Sequence, residues 1–319
     1  MRKNGKIISL LTALGSAALV AHIFNRAAFL AAESKRKLAG GNQSYYSWKF
    51  GSIYYSQKGE GSPLLLIHAM DSIVCDREWR DMVQYLARDH AVYTIDLPGC
   101  GRSEKKKTIY TNYMFVRAVN DFITNVIGEK TDVVTSNLSS SIALMACRES
   151  PQLYGKMILI NPESFKHMSR KHLPFERMLS RIMMVPCIGT TIYTIGTLRP
   201  LIEFRIRHRY FEKDAPVGSD VIDDFYEAAH IGGFAARFAY ASMIEHYTDV
   251  YFINALKDIK NPLYLIGGEN VRGIDYTLRG YRYFNKAARI FKVKGSGMPH
   301  LESARDMARV IRKCLDGED

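Results

Sequence analysis

Residues 131–146 read TDVVTSNLSSSIALMA, and this stretch decides the fold. Thr131–Ser136 has the β-branched, apolar character of a buried strand. Asn137–Ser141 is a corner crowded with small residues, and the first turns of a helix follow. Working outward, PLLLIH at 63–68, AVYTID at 91–96 and MILIN at 157–161 are continuous apolar runs of strand length, as expected where a sheet is covered on both faces. Segments of helix length separate them, Trp79–Leu86 and Tyr110–Ile127 among them. That rhythm predicts βαβ units and an α/β fold with a mostly parallel central sheet flanked by helices. YYSWKFGSIYYS at 45–56 adds two short antiparallel strands at the front. After Glu163 the rhythm changes. Residues 165–247 hold no such strand, only basic and apolar helical segments interrupted at Pro186-Cys187-Ile188-Gly189, and they read as an inserted helical lid. Strands return at PLYLIG, 262–267, and ARIFKV, 288–293, before a closing amphipathic helix at 304–315. The organisation expected is an anchor and tether over 1–40, a sheet domain over 41–164 and 251–319, and the lid over 165–250.

At 319 residues the chain is long enough for one large domain with an inserted subdomain. Its net charge of +12 is uneven. Residues 1–62 carry nine Lys and Arg against Glu33 and Glu60, so +7 lies there and only +5 on the rest. A basic amino-terminal end beside an apolar run suits a membrane, and no nucleic-acid-binding pattern accompanies it. Ile7–Phe24 is about 18 residues without a formal charge, at the lower edge of a bilayer-spanning helix. It reads as an uncleaved signal-anchor, whose outline a cleaved signal or a surface-lying helix shares. Basic residues on both flanks leave its orientation open. The five cysteines are odd in number, widely spaced and free of any CxxC, which argues against a disulfide framework or zinc and favours a reducing compartment.

Four motifs carry the chemistry, in chain order: His68-Ala69-Met70 after the third strand, Asp96-Leu97-Pro98-Gly99-Cys100-Gly101-Arg102-Ser103, Gly268-Glu269 at the end of a late strand, and Gly295-Ser296-Gly297-Met298-Pro299-His300-Leu301-Glu302. Together with the strand–corner–helix at 131–146 they resemble the α/β-hydrolase fold family over residues 45–315. The resemblance implies a serine nucleophile at the corner, a histidine that takes its proton, an acid that orients the histidine, and backbone N–H groups that hold an oxyanion.

Each of these positions departs from the family's pattern. One register of VTSNLSS puts Asn137 where the nucleophile belongs, with Thr135, Ser139 and Ser140 in place of glycines. A slip of two gives Asn137-Leu138-Ser139-Ser140-Ser141 and makes Ser139 the candidate nucleophile; otherwise the serines form a small-residue corner and helix cap. In the histidine loop the catalytic position is Gly297, and His300 matches a second, usually non-catalytic histidine unless the loop shifts. The family's acid position is Val271; Asp275 and Glu163 are the alternatives, the first also readable as a solvated loop residue and the second as a helix cap. Ala69, Met70, Leu138 and Ser140 are the candidate oxyanion and binding residues. In the lid, Lys166, His167, Arg170, Lys171, His172, Arg177 and Arg181 suit either anionic lipid head groups or a solvated helix face. Two functions follow. One is a membrane-tethered, non-catalytic member that binds a small apolar or acyl ligand under the lid. The other is a serine hydrolase of esters, thioesters or lipid-like acyl groups using Ser139, His300 and Glu163 or Asp275. No metal or organic cofactor is indicated.

Overall fold

The computed structural model describes residues 2–40, 43–168 and 173–318. Eight strands form one sheet: β1 (Ser44–Trp48), β2 (Gly51–Lys58), β3 (Ser62–Ile67), β4 (His90–Ile95), β5 (Thr131–Ser136), β6 (Tyr154–Ile160), β7 (Leu263–Gly268) and β8 (Arg289–Val293). Their spatial order is β1-β2-β4-β3-β5-β6-β7-β8. β1 and β2 pair antiparallel, as does β2 with β4, and every later pair is parallel. Alternation along the strands divides the core. Leu65, Ile67, Val133, Leu159 and Leu265 face one layer of helices, while Leu64, Leu66, Val134, Ile158 and Ile266 face the other. Apolar residues at consecutive positions are what two covered faces require.

The helices are α1 (Arg2–Glu33), α2 (Arg80–Leu86), α3 (Asn112–Phe122), α4 (Ser139–Glu149), α5 (Phe165–Met168), α6 (Pro174–Met184), α7 (Ile188–Gly196), α8 (Arg199–Arg209), α9 (Ser219–His230), α10 (Ala236–Ile244), α11 (Ile253–Asp258), α12 (Ile274–Phe284), α13 (Pro299–Glu302) and α14 (Ala304–Asp316). α2 and α14 cover one face, with Trp79, Met82, Leu86, Met307 and Ile311 in its core. α3, α4, α11 and α12 cover the other. α5–α10 all lie between β6 and β7 and make no strand among the described residues. Arg170, Lys171 and His172 lie outside the described residues.

The amino-terminal segment differs from the expected free tether. α1 is 32 residues long, and its residues 11–20 are exposed throughout. From Asn25 onward it is docked. The Asn25 amide donates to Thr191 Oγ1 at 3.0 Å, and Phe29 is buried with Met183, Tyr193, Ala236 and Ala241. Lys35 pairs with Asp223 at 2.7 Å. The Lys37 and Leu38 N–H groups donate to the Glu227 carboxylate at 2.6 and 3.3 Å, and Leu38 is fully buried. The physical reason is sequence content: Phe29, Ala32 and Leu38 give the supposed tether a buried face. Leu11–Glu33, 23 residues, is long and apolar enough to cross a membrane.

Candidate functional site

β5 ends at Ser136, and α4 starts at Ser139. Between them Asn137 has φ +54°, a left-handed conformation that Asn tolerates better than most residues, and it forms the apex of the corner. Its N–H donates to Ile160 O at 2.9 Å, which fixes the register with β6. Its side-chain amide donates to Ser136 Oγ at 2.9 Å and to the Gly297 carbonyl at 3.1 Å. The serines close the corner behind it. Ser139 is fully buried and donates to Ser136 O at 2.7 Å. Ser140 Oγ lies 3.0 Å from Thr135 Oγ1, and Ser141 donates to Leu138 O at 2.9 Å.

His300 is not beside Ser139's hydroxyl. Its Nε2 lies 2.7 Å from Glu78 Oε1, both side chains are wholly buried, and its ring stacks on Trp79 with centroids 4.4 Å apart. The second oxygen of Glu78 accepts the Ala69 N–H at 2.7 Å. His300 therefore supports the loop after β3 through Glu78, and the Ala69 amide is already occupied. His68 fixes the other side of that loop: its Nε2 accepts the Leu97 N–H at 2.9 Å, which leaves Nδ1–H to donate to Ala69 O at 2.7 Å.

The histidine position itself is filled from outside. A Cβ on Gly297 would lie 2.4 Å from Arg209 O and 2.9 Å from Tyr210 Cα. The Met298 N–H donates to Tyr210 O at 2.8 Å, so the end of α8 is bonded to this loop. No side chain fits at 297 without moving backbone.

The two candidate acids also lie apart. Asp275 is exposed in the first turn of α12 and pairs with Lys292 at 2.7 Å; that hydrogen bond holds its carboxyl below the usual range. Glu163 is buried, and its carbonyl accepts the Tyr281 hydroxyl at 3.0 Å. The group that ties the acid loop to the histidine loop is Asn161, at φ +46°. Its Oδ1 accepts the Gly268 N–H at 2.8 Å, and its Nδ2 donates to Ser296 O at 2.8 Å and Gly297 O at 3.1 Å. The structure thus does not join Ser139, His300 and Glu163 or Asp275 into one constellation. Asn137 and Asn161 instead meet on the Gly297 carbonyl, two amides where a charge relay is expected.

The backbone part of the site persists. Among the described residues, the Met70 and Leu138 N–H groups have no hydrogen-bond partner, and both residues line a cavity of about 280 Å³. Its walls are apolar at Tyr240, Met243 and Ile244 and charged at Asp71, Arg205 and Arg209. Burial alone would raise the Asp71 carboxyl, but Arg205 at 3.0 Å, Arg209 at 3.6 Å and the Tyr210 hydroxyl at 2.8 Å hold it below its ordinary value. His246, at φ +62°, also lines the cavity, with Nδ1 2.9 Å from Asp249 and Nε2 3.4 Å from Glu176.

The Asp96-Leu97-Pro98-Gly99-Cys100-Gly101 turn is a support, not a second site. Asp96 accepts the Asp76 N–H at 2.6 Å and the Arg102 N–H at 2.7 Å, and Arg102 also pairs with Asp76. Cys75, Asp76 and Asp96 bring their ligand atoms within 4.8 Å of one another, but the Arg102 guanidinium already bridges the two carboxylates. Burial, and then Asp96, pushes the Asp76 carboxyl up to about 6. Sequence reasoning missed Glu78, Asn161 and the Arg209 carbonyl. Positive φ at a non-glycine residue and contacts across 222 residues leave no local mark in a sequence.

The chain belongs to the alpha/beta hydrolase family, whose model matches residues 64–310. Among characterised relatives, a 2-hydroxy-6-oxo-6-(2'-aminophenyl)hexa-2,4-dienoic acid hydrolase of Metapseudomonas resinovorans is 26% identical over 108 residues, 33% of this chain. A soluble epoxide hydrolase of Corynebacterium sp. is 25% identical over 109 residues, 34% of this chain. Each match spans 37% of the relative's own length. Among solved structures, a serine hydrolase of carbazole degradation superposes with a TM-score of 0.69 at 17% identity, covering 86% of this chain and 98% of its own. A membrane phospholipase A, described as a bacterial virulence factor, gives 0.68 at 18% identity and covers 99% of both chains. Likeness at that identity speaks to the fold alone.

Proposed function

We propose that this protein is a membrane-tethered member of the family with weak or lost hydrolase activity, which binds a small apolar or acyl ligand beneath a lid formed by α5–α10. The observation that carries the reading is Gly297. The end of α8 occupies the space a catalytic histidine side chain needs. Asn137 at the apex agrees, because an amide is not a useful nucleophile. The unpartnered Met70 and Leu138 amides and the apolar wall suit a ligand carbonyl with a short apolar body. The cavity volume of about 280 Å³ lies at the small end for ligand sites. α1 supplies the tether, and the cysteine usage favours a reducing compartment.

The test is a fluorophosphonate probe on the detergent-extracted full chain, read by peptide mass spectrometry beside a Ser139→Ala control. The expected result is no adduct on folded protein. An adduct on Ser139 that disappears in the control would overturn the reading and restore an active hydrolase.

A further inference from the structure

α6 and α7 form a corner of 111°, and together they are long and apolar enough to pass for a broken or re-entrant membrane segment. The corner is Val185–Ile188, and its outer side is bare. Phe175, Met178 and Val185 are exposed along α6, and Ile188 and Ile195 along α7. Phe175, Met178, Ile182 and Val185 make one stripe at helical spacing, with Arg177 and Arg181 beside it. From 173 to 196 the acid is Glu176 alone, and its carboxylate is engaged by the Leu173 N–H at 2.9 Å and by His246. An apolar stripe edged by arginines is the surface that lies in a bilayer interface bearing anionic lipid.

The position of α1 says what covers this face. Ile7–Phe24 is 18 residues, about 27 Å as a helix against a hydrocarbon core of about 30 Å, so the run ends at Asn25 near the bilayer boundary. Asn25 is the residue that meets α7, at Thr191. One turn on, Phe29 meets Tyr193 with ring centroids 6.5 Å apart. From the first contact to the second the chain advances along both helices, Asn25 to Phe29 on α1 and Thr191 to Tyr193 on α7. The start of α7, and the corner before it, therefore lie on the side toward which α1 projects. Ile188 is three residues before Thr191, about 5 Å along the helix axis.

We infer that the α6–α7 corner is a second membrane contact, seated in the interface of the same leaflet that α1 enters, with Phe175, Met178, Val185 and Ile188 in the acyl boundary and Arg177 and Arg181 among anionic head groups. Because Glu176 of the same helix lines the central cavity, this contact sets the cavity's wall against lipid. The inference rests on the tether reading above.

Cys187 sits in the corner and is exposed, whereas the other four cysteines are buried. It therefore takes a thiol-reactive, environment-sensitive fluorophore in the full chain reconstituted with vesicles of phosphatidylcholine and phosphatidylglycerol. The expected result is that the protein floats with the vesicles, the label shifts to the blue, nitroxide-bearing lipids quench it, and aqueous iodide loses its quenching. Phe175→Glu with Met178→Glu should return the label to iodide while the protein still floats and keeps its near-ultraviolet circular dichroism. A chain that floats with its label quenched by iodide overturns this inference alone. A blue shift without lipid quenching also overturns it, since another protein surface then covers the face. A chain that does not float overturns the inference and the tether together.

Discussion

At the scale of the residue, Gly297 sits where a side chain meets backbone. Its missing side chain is not free space, because Arg209 O lies 2.4 Å from where a Cβ would be. Gly297→His must displace the α8 terminus and break the Met298–Tyr210 bond, which is 2.8 Å long. Overpacking of this kind costs about 1–3 kcal/mol, and a lost buried hydrogen bond adds about 1 kcal/mol. The expected outcome is a lower urea midpoint with no gain of esterase turnover, measured on the same preparation. An unchanged midpoint would mean that the α8 end yields easily and that the histidine position is open. Asn137 and Asn161 hold the corner after β5 and the loop after β6 to the histidine loop. Both hold a left-handed backbone, and both donate to the carbonyl of Gly297. The sequence placed Asn137, Gly297 and Val271 where the family pattern has its serine, histidine and acid, with Ser139, His300 and Glu163 or Asp275 as alternatives, since the residue at an aligned position is a local fact. It gave no sign of the bonds that replaced them, because left-handed backbone at an asparagine is decided by tertiary context.

At the scale of the element, the strands and the mostly parallel sheet were legible because the sheet is buried on both faces and each strand is a short apolar run between turn signals. The corner at 131–146 was legible for the same reason. The docking of α1 was not. Its buried residues, Asn25, Phe29 and Ala32, recur at helical spacing, but an 18-residue apolar run just before them hides the stripe. His230 lies under this docked helix. Its Nδ1 donates to Tyr226 O at 2.7 Å, its ring meets Phe29 at 4.7 Å, and burial brings its value down from 6.5 to about 4. A depressed value means that the neutral ring favours the folded state. That stability is fully present above pH 6.5 and is lost as pH falls through about 4. The gap corresponds to about 3 kcal/mol. Urea unfolding at several pH values from neutral to acid should show this loss in the parent chain, and His230→Gln should flatten the profile over the same window. An equal slope in both would place the acid sensitivity elsewhere.

At the scale of the whole molecule, the boundary between anchor and domain falls near Asn25, not near residue 40. Residues 11–20 are exposed, so a chain beginning at Asn25 loses exposed apolar surface and none of the core named above. A chain beginning at residue 41 loses Phe29, Ala32 and Leu38 from buried positions. It also strips Glu227 of both N–H donors and Asp223 of Lys35, although Arg199 stays with Asp223 at 3.0 Å. Burying a phenylalanine and a leucine is worth about 1.5–3 kcal/mol each, and ordering the segment that carries them takes part of that back. The net expected difference is about 2–5 kcal/mol in favour of the longer chain. Neither chain carries the apolar run 7–24, so the comparison can be made in plain buffer, by urea unfolding followed by circular dichroism. Equal midpoints would return residues 25–40 to the role of a free tether. A higher midpoint for the chain that starts at Asn25 would make the docked half of α1 part of the domain. The exposed half would then leave the domain at a fixed angle, as a membrane contact shared with the α6–α7 corner requires.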